Sequence, residues 1–288
     1  MHVEFRNIIR GARSVKERGN ALVTGGSRGL GLALAKNLSK NGWRTTIASR
    51  DPAELARAGA NASDEGIDLR TAQVDVTSEQ SVCDLFDRLA EDGPVELCVN
   101  NAGKNLSQLL VRPISGGAGT DSEAEEAVRH SLEAWDEIIR LCLTGVFLVG
   151  REAAASMIRS GVPGVIVNIT SAVRGGAYGQ SAYTASKAGV VALTRTWAYE
   201  LSRYGIRVAA VSPGVIDGEA LRAKVASDPA HARYMERLRE TVPLGRWALE
   251  SEIADAVRFV ADNGYISGSV LDIDGGGLAG RITGVPRS

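Results

Sequence analysis

Aromatic residues make up only 5% of this 288-residue chain, and cysteine is nearly missing, with three copies. So few thiols cannot frame a small disulfide-stapled fold, and Cys83, Cys98 and Cys142 lack the paired spacing of a zinc site. Cys83 and Cys98 fall in a helical and a strand pattern, which predicts buried free thiols. An excess of one charge is missing too. Thirty-three basic residues against 34 acidic ones leave a formal charge of −1, so neither a nucleic acid nor an anionic membrane is an expected partner. No uninterrupted apolar run reaches the ~18 residues of a membrane-crossing segment. The start of the chain has no signal-peptide-like apolar stretch, and a cytoplasmic protein is the expectation.

What is present is a 44% share of hydrophobic residues, enough for a full core, and it is distributed in a regular pattern. Short strand-like runs occur at 21–24, 45–48, 70–74, 95–99, 164–170, 206–212 and 270–273. Helical periods fill 30–41, 52–62, 78–91, 132–160, 181–203 and 250–262. Strands alternating with helices predict right-handed βαβ units and a parallel sheet covered on both faces. The class is therefore α/β, a three-layer doubly wound fold on a seven-stranded parallel sheet.

Three segments stand outside the alternation. Residues 1–19 form an extension carrying Arg6, Arg10, Arg13, Lys16 and Arg18. Residues 104–131 are a long inserted loop, glycine-rich and then acidic from Asp121 to Glu126. Residues 215–246 are charged and helical, bracketed by Pro213-Gly214 and Pro243-Leu-Gly245, and read as a substrate lid. Because no interdomain linker is visible, residues 20–288 read as one domain.

The chemistry lies in three short motifs. Thr24-Gly-Gly-Ser-Arg-Gly-Leu-Gly31 follows an apolar strand and opens an amphipathic helix, the setting in which a glycine pattern holds a dinucleotide. Gly25 suits a turn with positive φ, while Gly29 and Gly31 let backbone approach a pyrophosphate at the helix start. Asn100-Asn-Ala-Gly103 follows a second buried strand and so falls at the same sheet edge. Tyr183 and Lys187 are four residues apart, hence on one helix face, and Ser171 ends a strand twelve residues upstream. An ammonium near a phenol favours the phenolate, so Lys187 is expected to lower the Tyr183 pKa by ~1–3 units. A phenol poised in this way suits proton transfer at a carbonyl or alcohol oxygen.

In this order and register the motifs resemble the short-chain dehydrogenase/reductase family, in its compact single-domain branch, and within it the 3-oxoacyl-carrier-protein reductase-like ketoreductases. The resemblance runs from about residue 20 to 277 and includes Asp75-Val76, Pro213-Gly214 and Asp274-Gly275-Gly276. It implies a Rossmann-type dehydrogenase domain and a small-molecule or carrier-bound carbonyl substrate, in a homotetramer or homodimer. Tyr183 would be the general acid/base, Ser171 would hold the substrate oxygen, and Lys187 would also bind the nicotinamide ribose. The cofactor cradle it implies comprises Gly25, Ser27, Arg28, Gly29, Leu30, Gly31, Ser49, Arg50, Asp75, Val76, Asn101, Ala102, Gly103, Tyr183, Lys187, Pro213, Gly214 and Ile216.

Relatives selective for NAD end the second strand with Asp. This chain has Ser49-Arg50 there, so Arg50 and Arg28 are expected to favour NADP(H) over NAD(H), with Asp51 the competing ribose ligand if the register slips by one. The chain also departs from the family pattern. Cys142 stands where relatives carry Asn, Gly218 stands where they often carry Thr, and the Ser171–Tyr183 spacing is about one residue short, which keeps Thr170 as a second candidate donor. The Cys142 substitution leaves open a second reading, a dinucleotide-binding sensor without turnover.

Overall fold

The computed structural model describes residues 18–113 and 127–277. Seven parallel strands form one sheet in the order β3-β2-β1-β4-β7-β8-β9. They are β1 (Asn20–Thr24), β2 (Arg44–Ser49), β3 (Arg70–Gln73), β4 (Val95–Asn100), β7 (Val165–Ile169), β8 (Arg207–Pro213) and β9 (Val270–Ile273). Strand alternation sends successive side chains to opposite faces. Val23, Ile47, Leu97, Val167 and Ala209 pack beneath α1 (Gly29–Lys40), α2 (Pro52–Asp64) and α9 (Glu250–Asp262). Leu22, Ala48, Cys98, Ile166 and Val208 face α3 (Glu79–Ala90), α5 (Gly145–Ser160) and α6 (Ser181–Leu201). This is the doubly wound Rossmann-type fold expected from the alternation.

The chain builds outward from β1 through β2 to β3, then returns to place β4 on the other side of β1. In doubly wound sheets the binding crevice lies at such a reversal, which here falls beyond the carboxyl ends of β1 and β4. The glycine turn after Thr24 and the Asn100–Gly103 turn both emerge there.

Local capping sets several boundaries. Asp51 and Ser78 cap α2 and α3, each accepting backbone N–H bonds from the first turn, with Pro52 opening α2. In the 215–246 segment, Asp228 ends α7 (Glu219–Ser227) and caps α8 (Pro229–Glu240) through the amides of Ala230 and His231. The helical reading of that segment therefore resolves into two helices.

Two features differ from the sequence expectation. The stretch 132–160 is not one regular helix: α4 (Leu132–Ile139) passes through a π turn at Arg140–Thr144 before α5 begins, and the Gly145 amide bonds back to the Arg140 carbonyl. Gly145 lies against Val76, where an added Cβ would stand 3.0 Å from Val76 Cγ2. The continuous stretch Leu132–Ser160 has a window of mean hydropathy 1.5, apolar enough by length and composition to cross a membrane. That character belongs to a core helix: Val146, Val149, Ala153 and Met157 are buried under the sheet. The second difference lies in the inserted loop, which forms a small antiparallel ladder of β5 (Val111–Pro113) and β6 (Ala127–Arg129). Residues 114–126, including the acidic run, lie outside the described residues. So do Arg6, Arg10, Arg13 and Lys16, whereas Arg18 pairs with Asp262 and sits 5.6 Å from the Trp43 ring centre.

Candidate active site

The glycine turn is shaped for close approach. Gly25 and Gly29 have φ of +65° and +53°, values that side-chain-bearing residues rarely adopt. A Cβ on Gly31 would overlap the Gly25 carbonyl and stand 2.6 Å from Asn101 Nδ2, so only glycine fits. The first turn of α1 has no side-chain cap and no acidic residue, which leaves its amides free for an anion. Leu30 faces inward and packs on the core.

The second turn is tied to the first. Thr24 Oγ1 accepts from the amides of Asn101 (3.1 Å) and Ala102 (3.2 Å), and Asn101 Nδ2 donates to the carbonyls of Thr24 (3.0 Å) and Gly25 (3.3 Å). The Asn101 side chain thus braces the cradle. Below it a buried polar chain crosses the sheet: Asn100 Nδ2 donates to Asn168 Oδ1 (2.8 Å), and Asn168 Nδ2 to Thr194 Oγ1 (2.9 Å).

At the far end of the crevice, Ser49 closes β2 with its hydroxyl oxygen buried and without a hydrogen-bond partner among the described residues. Such a group calls for an external polar partner. Arg50 is exposed beside it. The competing ligand, Asp51, has its Oδ1 committed to the amides of Ala53 (2.8 Å) and Glu54 (3.1 Å) as the α2 cap. An unforeseen carboxylate stands nearby: Glu54 accepts from Ser27 Oγ (3.1 Å) and Arg28 Nη1 (3.4 Å). Its place in the first turn of a helix following the second strand was the available signal. Asp75 Oδ1 takes the amide (2.9 Å) and hydroxyl (2.7 Å) of Thr77, and Val76 is buried. The positive-φ glycines, the exclusion of a side chain at Gly31, the free helix amides and the lone Ser49 hydroxyl together fit a nicotinamide dinucleotide.

The hydroxyl cluster lies where β7 meets α6. Thr170 is buried and donates to the Lys187 carbonyl (2.9 Å), so its side chain is held inside the protein. Ser171 points the other way, as strand alternation requires, and its hydroxyl stands beside the Tyr183 phenol. It also accepts from the Val173 amide (3.4 Å). The Lys187 ammonium is buried, donates to the Ile169 carbonyl (2.8 Å) and lies 5.6 Å from the Tyr183 ring centre.

The electrostatics correct one expectation. Burial pushes the Tyr183 phenol up to about 12, with the neighbouring Ser171 hydroxyl pulling the other way. Burial likewise pulls Lys187 down, with Cys142 opposing. In this pocket burial outweighs any downward pull of the lysine on the phenol. The lysine's own charge is desolvated, and its short hydrogen bond goes to Ile169.

Cys142 sits in the π turn, fully buried, and donates to the Lys104 carbonyl (3.5 Å). A Cβ on Gly103 would stand 3.3 Å from Cys142 Sγ and 3.7 Å from Lys187 Nζ, so thiol and ammonium border the same space. On the opposite wall, the Gly214 amide bonds to the Ile273 carbonyl (2.9 Å), Pro213 ends β8, and Ile216 bridges to Ala248. Gly218 opens α7, and a Cβ there would come 2.8 Å from Glu250 Oε1. The usual threonine would therefore press on that carboxylate.

The family model described as short chain dehydrogenase matches residues 19–229. The chain is 37% identical to the cis-4-hydroxycyclohexanecarboxylate dehydrogenase of Sinomonas cyclohexanicum, over 89% of this chain and 95% of that protein. It is 35% identical to a 3-oxoacyl-[acyl-carrier-protein] reductase of Mus musculus, over 88% and 95%. Among solved structures, an actinorhodin polyketide ketoreductase variant with NADPH superposes with a TM-score of 0.76 at 30% identity, covering 90% of this chain and 97% of that one. With its glycine turn, its Asn-Asn-Ala-Gly turn and its Ser171, Tyr183 and Lys187 cluster on one sheet edge, this chain belongs to the short-chain dehydrogenase/reductase family of oxidoreductases.

Proposed function

We propose that the chain is an NADP(H)-dependent enzyme interconverting a ketone and a secondary alcohol. The observation that carries this reading is the gathering of Ser171, Tyr183 and the buried Lys187 where β7 meets α6, with Lys187 Nζ 5.6 Å from the Tyr183 ring centre and bonded to the Ile169 carbonyl. A carbonyl oxygen seated between the two hydroxyls receives two donors where negative charge develops. When bound, the nicotinamide supplies the hydride. Tyr183 donates its proton to the oxygen in reduction and takes it back in oxidation, Ser171 holds the oxygen, and the Lys187 ammonium keeps the surroundings positive as the phenol loses its proton. Relatives named as an oxoacyl reductase and a hydroxy-acid dehydrogenase support carbonyl–alcohol exchange, with the carbonyl on a small molecule or a carrier. Helices α7 and α8 would cover the substrate as a lid, and the cytoplasm is the compartment that suits this reading. A spectrophotometric screen of NADPH oxidation over small and carrier-linked ketones tests it; no turnover on any ketone or alcohol would refute it.

The choice of NADP(H) rests on Arg50, exposed at the end of β2, and on Asp51 being tied into α2 as its cap, while Arg28 of the glycine turn pairs with Glu54 (3.4 Å) and would exchange that partner for a 2′-phosphate. A hydrogen bond to a charged group contributes ~1.5–3 kcal/mol, which is about one to two orders of magnitude in affinity. Arg50→Ala is therefore expected to weaken NADPH binding by ~10–100-fold while leaving NADH binding nearly unchanged, read by fluorescence titration. Tighter binding of NADH than NADPH by the wild type would overturn the assignment.

The assembly belongs to the same reading. Phe147 and Ile158 on α5 and Tyr199 on α6 are exposed, so the outer faces of these helices retain apolar surface. Symmetric pairing of two or four copies through them would bury it. Light scattering is expected to give a dimer or tetramer of the 30.3 kDa chain, and a monomer at micromolar concentration would contradict this.

A further inference from the structure

Ser171 opens a 3₁₀ turn, Ala172–Gly175, that leads straight into Gly176. An added Cβ on Gly175 or Gly176 would meet no atom within 4 Å, and Gly176 has a φ of +129°. Packing therefore does little to hold the downstream side of this turn. A single guanidinium does so instead. Arg174 Nη1 donates to Asp272 Oδ1 (2.6 Å) and Nη2 to Asp272 Oδ2 (3.0 Å), a two-point fork on one carboxylate. Nη1 also reaches the Ser212 hydroxyl and the Ser171 carbonyl (3.5 Å).

The three partners come from three neighbouring strand ends. Ser171 follows β7, Ser212 is buried in β8, and Asp272 lies in β9 in register with Ser212. Ser212 directly precedes Pro213-Gly214, the wall of the crevice opposite Tyr183. One side chain thus sets the distance between the turn that presents the Ser171 hydroxyl and the wall where the nicotinamide end of the cofactor would lie. The fork is planar and rigid, which favours geometry over a diffuse charge contact. The Asp272 side chain is 43% exposed, and an ion pair so open to solvent adds little stability.

We propose that Arg174 is a positioning residue for the reaction: through Asp272 and Ser212 it fixes the Ser171 turn, and so the substrate-oxygen donor, relative to the Pro213-Gly214 wall. This rests on the roles given to Ser171 and Tyr183 under the proposed function. Misplacing a reacting group by about 1 Å can cost ~10²-fold in rate.

The test uses the full chain with the best ketone from the screen. Arg174→Gln is expected to lower kcat by ~10–100-fold with the KM for NADPH and the melting temperature little changed. Arg174→Lys should restore part of kcat, because an ammonium can meet Asp272 but cannot also reach Ser212 and the Ser171 carbonyl in the same plane. In a Ser171→Ala background, Arg174→Gln should cost almost nothing more, since groups that act through one another are non-additive. Should Arg174→Gln fail to fold, Asp272→Asn removes the charge partner and leaves the Ser212 contact, and a smaller loss confined to kcat is expected. Full kcat in these variants, a loss confined to NADPH affinity, or a loss that adds in full to Ser171→Ala would overturn the proposal. The two readings fail separately. Full turnover by Tyr183→Phe strikes the site assignment. A Tyr183→Phe enzyme that is crippled beside a fully active Arg174→Gln strikes Arg174 alone.

Discussion

Replacing Tyr183 with phenylalanine is expected to lower kcat for ketone reduction by ~10²–10⁴-fold, the span of general acid–base participation, with fold and NADPH affinity retained. The substitution removes one oxygen from a half-buried ring and leaves the packing of α6 in place. What disappears is the hydroxyl proposed as the proton donor beside Ser171. The raised phenol pKa gives the pH dependence its sign. Below about 12 the phenol is mostly protonated, which is the form that reduction consumes. Reduction should hold its kcat/KM through neutral pH and decline only on the alkaline side. Alcohol oxidation needs the phenolate as base and should climb with pH over the same range. Steady-state profiles in both directions check this. Wild-type turnover by Tyr183→Phe, or oxidation that falls as pH rises through neutrality, would remove Tyr183 from its role.

Lys187→Met should separate activity from stability. The ammonium is buried, has no carboxylate partner among the described residues and is pulled below the usual lysine pKa by desolvation. Burying such a charge costs several kcal/mol. Methionine has a similar length and no charge, and its main penalty is the Ile169 carbonyl left without a donor, ~1–3 kcal/mol. The variant is therefore expected to melt a few degrees higher while turnover falls by at least ~10²-fold, as when one preorganised donor is removed from an active site. Linkage supplies a further check. A depressed lysine pKa destabilises the fold at neutral pH, and the penalty is relieved as pH rises through the window between the folded and unfolded values. Wild type should gain stability on Lys187→Met across that alkaline window, and the variant should lack that gain. A variant that loses stability and activity together would make Lys187 a structural residue.

The pattern of the chain carried unequal amounts of this picture. Seven strands were legible because each is a short apolar run set between helical periods, as a strand buried on both faces requires. The glycine turn was legible because Gly25, Gly29 and Gly31 answer to backbone geometry, which local sequence encodes. Tyr183 and Lys187 were placed on one face by helical spacing alone. The π turn at 140–144 was not legible, because Arg140-Leu-Cys-Leu-Thr144 has an ordinary helical composition. Gly145 packed on Val76 sits at that irregularity, and the partner is 69 positions away. The β5 and β6 strands were hidden as well, since three residues each are too few to show a period.

The sequence by itself determined the α/β class, the strand and helix order, the glycine turn and the Ser171, Tyr183 and Lys187 grouping of the candidate site. All of these follow from local spacing and backbone preference. Only the tertiary structure decided that Asp51 serves α2 and that Glu54 reaches Ser27 and Arg28. It also put Arg174 on Asp272, 98 residues away, and raised rather than lowered the Tyr183 pKa. The physical reason is common to all of these. Burial and charge contacts are properties of what the fold brings within a few ångströms, and a pKa answers to that surrounding volume, not to the neighbour four residues along a helix.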